Sequence, residues 1–92
     1  MVDGARRVDF ENQRVTVDGK CVNLTPLEWR VVERLADRSG RAVARSEIAQ
    51  VIGRADAPAS DNAVAVHLYN LRRKLGRDAI ETIRGHGFRL KL

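Results

Sequence analysis

The chain has 92 residues, of which 17 are Lys or Arg and 12 are Asp or Glu, giving a formal net charge of +5. This length can bury one modest core, and no apolar run in the chain reaches the roughly 20 residues needed to cross a bilayer. The single Cys excludes an internal disulfide and fits a reducing compartment. We therefore expect one cytoplasmic domain with no membrane partner.

Short alternating runs predict antiparallel strands in the first quarter of the chain. The apolar positions of these runs are Val8 and Phe10, Val15 and Val17, and Val22 and Leu24. Turns are predicted at residues 11–13 and at Asp18-Gly19, a dipeptide typical of two-residue hairpins. Residues 1–7 are predicted to be a tail or the end of a linker, and residues 8–92 the folded domain.

Capping patterns delimit three predicted helices. The first begins at Thr25, which forms a Thr-x-x-Glu capping box with Glu28, and ends at Ser39-Gly40. A link that can form one brief strand leads to a two-turn helix over residues 46–52. After a loop over residues 53–59, the third helix begins at the N-cap Ser60 and ends at Leu75.

The last residues predict a β-hairpin around Gly85-His86-Gly87. Its inward side chains are expected to be those of Ile83, Phe88, Leu90 and Leu92, and its outward ones those of Thr82, Arg84 and Arg89. The order of the elements predicts an α+β fold, a winged helix-turn-helix with an N-terminal antiparallel sheet, three helices and a C-terminal hairpin wing.

Positive charge is concentrated near the third helix and the hairpin. Residues 60–92 contain seven Lys and Arg against three Asp and Glu, whereas residues 1–59 contain ten against nine. Such a local excess is typical of proteins that bind a polyanion such as nucleic acid, although a solvated basic face has the same composition.

The third predicted helix has two different faces. Its core stripe consists of Val64, Leu68, Leu71 and Leu75. The opposite face carries groups suited to reading bases in a major groove: Asn62, Val66, Tyr69, Asn70 and Arg73. Asn can pair with adenine, Val can contact a thymine methyl group, and Arg can donate two hydrogen bonds to guanine. His67, Arg72 and Lys74 lie beside these groups and suit phosphate contacts. Alternatively, the face is plain surface, or Val66 packs against the hairpin or a second protein.

Three motifs follow one another along the chain: Leu24-Thr25-x-x-Glu28, Val66-His67-x-x-x-Leu71-Arg72-x-Lys74-Leu75 and Thr82-x-Arg84-Gly85-x-Gly87-Phe88. Together they resemble the DNA-binding domain of OmpR/PhoB-type response regulators, from about Val8 to Leu92. The resemblance implies a winged helix with a four-stranded N-terminal sheet. It also implies sequence-specific binding to double-stranded DNA at direct repeats, and transcription regulation in a bacterial two-component phosphorelay.

Residue roles transfer from the family only where this sequence matches its pattern. The resemblance implies a phosphate contact for Thr82 and a minor-groove contact for Arg84. Gly85 and His86 are predicted to join this wing contact from their place at the hairpin tip, although a His at a loop tip can instead be solvated. It also implies that the loop carrying Arg54, Ala55 and Asp56 contacts RNA polymerase. Positions 65, 69 and 70 depart from the family pattern, so the base sequence recognised does not follow from the resemblance.

The implied partners are RNA polymerase, a second copy bound head to tail on DNA, and a sensor kinase acting through a receiver domain absent from this chain. No cofactor or metal is expected, because the two His, one Cys and scattered carboxylates have no metal-ligand spacing. An enzyme is not expected, since no nucleophile–base pair is recognisable. The alternative function is a winged-helix protein-interaction module in which the third helix binds a protein.

Overall fold

The computed structural model describes residues 6–37, 41–54 and 56–91. In these ranges the chain forms three helices and five strands in the predicted order. They are β1 (Arg6–Asp9), β2 (Arg14–Val17), β3 (Lys20–Val22), α1 (Pro26–Asp37), α2 (Arg45–Ile52), α3 (Asp61–Leu75), β4 (Ile80–Ile83) and β5 (Gly87–Leu90). The predicted α+β winged-helix architecture is confirmed. None of the helices within the described ranges has the length and apolar character needed to cross a membrane.

Strands β1, β2 and β3 form an antiparallel sheet in that order. Val17 pairs with Lys20, so Asp18 and Gly19 form the predicted two-residue turn, with φ angles of 53° and 80°. The resemblance implied a fourth strand, but the sheet has three strands within the described ranges. β1 begins at Arg6, two residues before the predicted start of the domain.

Phe10 lies in the turn after β1 rather than in a strand. Its ring packs edge-on against Trp29 of α1, with the ring centroids 6.0 Å apart. The turn itself is closed by Asp9, whose carboxylate accepts hydrogen bonds from the backbone and side chain of Asn12 at 3.1 and 2.8 Å. The aromatic contact therefore joins the sheet to α1.

The predicted helix caps form as expected where the structure describes them. The Thr25 N–H donates to Glu28 Oε1 at 2.9 Å, and the Glu28 N–H donates to Thr25 Oγ1 at 3.1 Å. Ser60 Oγ accepts from the Ala63 N–H at 3.1 Å. The predicted end of the first helix, Ser39-Gly40, lies outside the described residues.

One core lies between the N-terminal sheet, the three helices and the hairpin. The predicted stripe of α3 is buried in it. The buried residues of the core are Val15, Trp29, Val31, Val32, Leu35, Val43, Ile48, Ala49, Val51, Val64, Leu68, Leu71, Leu75, Ala79, Ile80 and Phe88. Because α3 anchors one side on this core, its opposite side is available for contacts with other molecules.

The inward face of the hairpin differs from the prediction. Ile80 pairs with Leu90 and Thr82 pairs with Phe88, so Ile80 shares a face with Phe88. Side chains alternate along a strand, which puts Ile83 on the other face, where it is half-buried. Ile80 is the buried residue instead. Leu92, also expected inward, lies outside the described residues.

The brief strand predicted between the first two helices is a single bridge. Val43 N–H donates to Phe88 O at 2.6 Å, and Phe88 N–H donates to Val43 O at 2.9 Å. A side chain on Gly87 would collide with the Val43 carbonyl, so the close approach requires glycine there. The bridge fixes the hairpin beside the start of α2.

Candidate nucleic-acid interface

The outward face of α3 carries two large side chains that face solvent. Val66 is 50% exposed and Tyr69 is 61% exposed, whereas Leu68 between them is buried. Of the other residues predicted to read bases, Asn62 and Arg73 are exposed and Asn70 is half-buried. α3 thus brings all five predicted base-reading residues to its outer side.

Tyr69 and Arg73 lie one helical turn apart and contact each other. The Arg73 guanidinium carbon is 5.9 Å from the centroid of the Tyr69 ring, a cation–π geometry. Arg72 and Arg77 line the same shallow cleft. Arg77 was not among the predicted site residues, and its only signal in the sequence is its place in the basic C-terminal third.

Arg72 joins α3 to the hairpin. Its Nε and Nη2 atoms donate to the Ile80 carbonyl at 3.1 and 2.9 Å, and Nη2 also donates to Thr82 Oγ1 at 3.2 Å. Two residues predicted to contact phosphate are thereby brought together. The contact sets the position of β4 relative to α3, and no spacing in the sequence indicated it.

Lys74 points back toward the start of α1. Its Nζ donates to Glu28 Oε1 at 2.6 Å and to the Asn23 carbonyl at 3.0 Å. Burial raises the pKa of Glu28, but the hydrogen bonds from Lys74 and from the Thr25 N–H outweigh this effect, so the net pKa is below the ordinary value. Glu28 and Lys74 line a second shallow cleft together with Asn70 and Arg73. Lys74 therefore has a structural partner beside the predicted base-reading residues.

The tip of the hairpin is exposed at all three predicted residues, Arg84, Gly85 and His86. The His86 N–H donates to the Ile83 carbonyl at 2.9 Å and closes the turn. His67, predicted to contact phosphate, is half-buried on α3. The hairpin tip thus offers a guanidinium and an imidazole on a narrow loop.

Arg45 is a basic residue beside the hairpin tip that was not among the predicted site residues. It is the first residue of α2, its guanidinium carbon lies 5.6 Å from the centroid of the Phe88 ring, and it lines a cleft with the hairpin tip. Nη1 of Arg45 is also 4.0 Å from Asp61 Oδ2 of α3. The sequence predicted the helix to begin at residue 46, so it gave no signal for a role of Arg45 beside the hairpin.

The loop predicted to contact RNA polymerase is a tight turn between α2 and α3. Arg54 and Ala57 exchange two backbone hydrogen bonds of 3.0 Å. The Arg54 and Asp56 side chains are both exposed and lie 3.9 Å apart. Ala55 lies outside the described residues.

Within the described ranges, no three His, Cys, Asp or Glu side chains are grouped so that they could hold a metal ion.

Comparison with known proteins connects this geometry to a family. A family model described as "Transcriptional regulatory protein, C terminal" matches residues 19–90. The transcriptional regulatory protein PmrA of Pectobacterium parmentieri is 41% identical over 83 residues, which are 90% of this chain and 37% of that protein. The chain spans about two fifths of the length of the curated relatives it matches.

Solved structures share the same fold. The DNA-binding domain of CpxR from E. coli has a TM-score of 0.74 and 28% identity, and the match covers 98% of this chain and 93% of that one. The Klebsiella pneumoniae RstA DNA-binding domain, solved in complex with the RstA box, has a TM-score of 0.76 and 25% identity, with 98% and 94% covered. From the family match and these likenesses, the chain belongs to the family of OmpR/PhoB-type transcriptional regulatory C-terminal domains.

Proposed function

We propose that this domain binds double-stranded DNA sequence-specifically and regulates transcription as the effector domain of a bacterial two-component response regulator. The observation that carries the proposal is the outward face of α3, where Val66 and Tyr69 are exposed among carboxamide and guanidinium groups. A branched apolar group on a basic helix face suits contact with a thymine methyl group. The RstA domain solved with its DNA box has the same fold.

In the proposed complex α3 lies in the major groove and the hairpin tip reaches the adjacent minor groove. Asn62, Val66, Tyr69, Asn70 and Arg73 read base edges there, while His67, Arg72 and Thr82 contact phosphates. Arg84, with Gly85 and His86, occupies the minor groove, whose negative potential attracts a guanidinium. Arg45 and Arg77 add two cations beside these groups, which supports phosphate binding along both edges of the interface.

Further partners are part of the same proposal. A second copy binds head to tail on a direct repeat, and the loop carrying Arg54, Ala55 and Asp56 contacts RNA polymerase. A sensor kinase acts through a receiver domain elsewhere in the full protein, in the bacterial cytoplasm. The matched relatives are more than twice the length of this chain, which leaves room for such a domain in them.

The test of the proposed function is selection of bound duplexes from a random library at two salt concentrations. We expect enrichment of a direct repeat whose half-sites are about 10 bp apart, one turn of DNA. Binding should weaken with salt, with log K falling by about 0.9 per phosphate contact for each tenfold rise in salt. Salt-sensitive binding without sequence enrichment would contradict specific readout. Absence of binding at both salt concentrations would favour the protein-interaction alternative for α3.

Replacing Asn70 with alanine is expected to weaken binding to the best selected site by about 1 to 3 kcal/mol, provided that it reads an adenine. Affinity for random duplexes should stay nearly unchanged, because the change removes no charge. Competition binding with site variants at each base pair measures the effect and identifies the pair whose preference is relaxed. Equal losses on specific and random DNA would remove Asn70 from the base-reading set.

In the free domain the Lys74 Nζ donates to Glu28, so a phosphate contact requires Nζ to bind both groups or to release Glu28. If Lys74 contacts a phosphate, its replacement with alanine should weaken binding to all sequences alike and reduce the salt slope by about one phosphate contact. Affinity titrations over a range of salt concentrations measure this slope. An unchanged slope would mean that Lys74 serves the fold alone.

A further inference from the structure

Arg6 of β1 reaches across the domain to the far end of α3. Its Nε donates to the Leu75 carbonyl at 2.8 Å, its Nη1 donates to the Lys91 carbonyl at 3.3 Å, and its Nη2 pairs with the Asp78 carboxylate. The Arg6 side chain is only 10% exposed. One guanidinium therefore connects the first strand to the end of α3, to the turn that follows it and to the residue that follows β5.

These contacts suit the physical needs of a helix end. Leu75 is the last residue of α3, and the final carbonyls of a helix have no partner within the helix. A buried cation at this end also interacts favourably with the helix dipole. The same guanidinium holds the pKa of Asp78 below its ordinary value, mainly through their hydrogen bond.

Gly76 makes room for this arrangement. Its φ of +121° favours glycine, and a Cβ atom there would lie 2.6 Å from Arg6 Nη2. The glycine that the sequence predicts to end α3 thus also leaves space for the Arg6 guanidinium, because it has no side chain.

We propose that Arg6 is a positioning residue for DNA recognition, which fixes the end of α3 and the end of the hairpin relative to the N-terminal sheet. This inference rests on the proposed function. Specific binding requires base contacts from α3 and from the hairpin tip at the same time, so it depends on their relative position. Non-specific binding requires only phosphate contacts and tolerates small shifts. A displacement of β1 would accordingly shift α3 relative to the hairpin and lower the preference for the specific DNA site.

The experiment compares Arg6→Met with Arg7→Met. Arg7 is the next residue of β1, its side chain is exposed, and its replacement removes the same charge. For each variant, one measures the ratio of affinities for the selected site and for random duplex, and amide hydrogen exchange of residues 72–76 by NMR. In Arg6→Met we expect the ratio to fall about two- to thirtyfold and these amides to exchange faster, with affinity for random DNA nearly retained.

Arg7→Met should leave both the ratio and the exchange unchanged. A folded Arg6→Met protein with an unchanged ratio would overturn the proposal, and so would an equal loss in Arg7→Met, since the cause would then be charge alone. If Arg6→Met does not fold, Arg6→Lys replaces it, because Lys keeps the charge but has no fork of donors; the same fall in the ratio is expected. Failure of the wild-type domain to select any sequence would instead overturn the proposed function itself.

Discussion

Replacing Leu71 with alanine is expected to lower the free energy of unfolding by about 2 to 5 kcal/mol. Leu71 is fully buried at the centre of the α3 stripe, so the shorter side chain leaves a cavity lined by residues of a well-packed core. A small domain has a total stability of only about 5 to 15 kcal/mol, and the loss is a large part of it. Urea denaturation followed by circular dichroism measures the change.

Val66→Ala is the matched control on the same helix. Val66 is 50% exposed on the opposite face, so its truncation should change the free energy of unfolding by less than about 0.5 kcal/mol. We expect the Val66 variant to bind the selected DNA site more weakly, although its fold is intact. A destabilisation by Val66→Ala as large as that by Leu71→Ala would contradict the division of α3 into a core face and an outward face.

The second large effect is expected at the contact between Glu28 and Lys74. Replacing Lys74 with methionine keeps the apolar stem but leaves Glu28, whose side chain is 8% exposed, without its cation. A buried charged group deprived of its partner costs about 1 to 3 kcal/mol or more. The double variant Glu28→Gln with Lys74→Met should recover part of this loss, because no unpaired charge remains. Full additivity of the two single changes would show that the pair does not interact.

The same pair gives stability a defined pH dependence. The pKa of folded Glu28 lies below the ordinary value of 4.5, so the folded state favours the ionised form. Its contribution to stability is therefore present above pH 4.5 and is lost as the pH falls through the lower, folded pKa. In Lys74→Met we expect the pKa of Glu28 to rise, since burial remains and the main opposing interaction is gone. An NMR titration of the Glu28 carboxyl group in both proteins measures the difference, and an unchanged pKa would contradict the assigned cause.

Much of the fold could be predicted because the relevant interactions connect neighbouring residues. The capping box of Thr25 and Glu28, the N-cap Ser60 and the turn at Asp18-Gly19 each join groups at most three residues apart. The two faces of α3 follow from helical periodicity alone. The outward orientation of Val66 was for this reason visible in the sequence, and with it the central feature of the candidate site.

The hairpin shows where this local reasoning fails. Ile80 and Ile83 are both apolar residues of one strand, three positions apart, so strand alternation puts them on opposite faces. Which of the two faces the core depends on how β4 sits against α3. The hydrogen bonds from Arg72 to the Ile80 carbonyl and the bridge between Val43 and Phe88 fix that position.

The sequence by itself determined the order of the elements, the caps at Thr25 and Ser60 and the outward side of α3. Only the tertiary structure decided which cations are already engaged: Arg6 lies 69 residues from its acceptor Leu75, and Lys74 lies 46 residues from Glu28. Long flexible side chains such as these reach acceptors that chain folding brings close. Neither composition nor hydrophobic periodicity predicts such distant partners. A basic residue near a recognition helix is therefore predictable from sequence as a charge, but its role as a DNA contact or as a structural tie depends on the assembled fold.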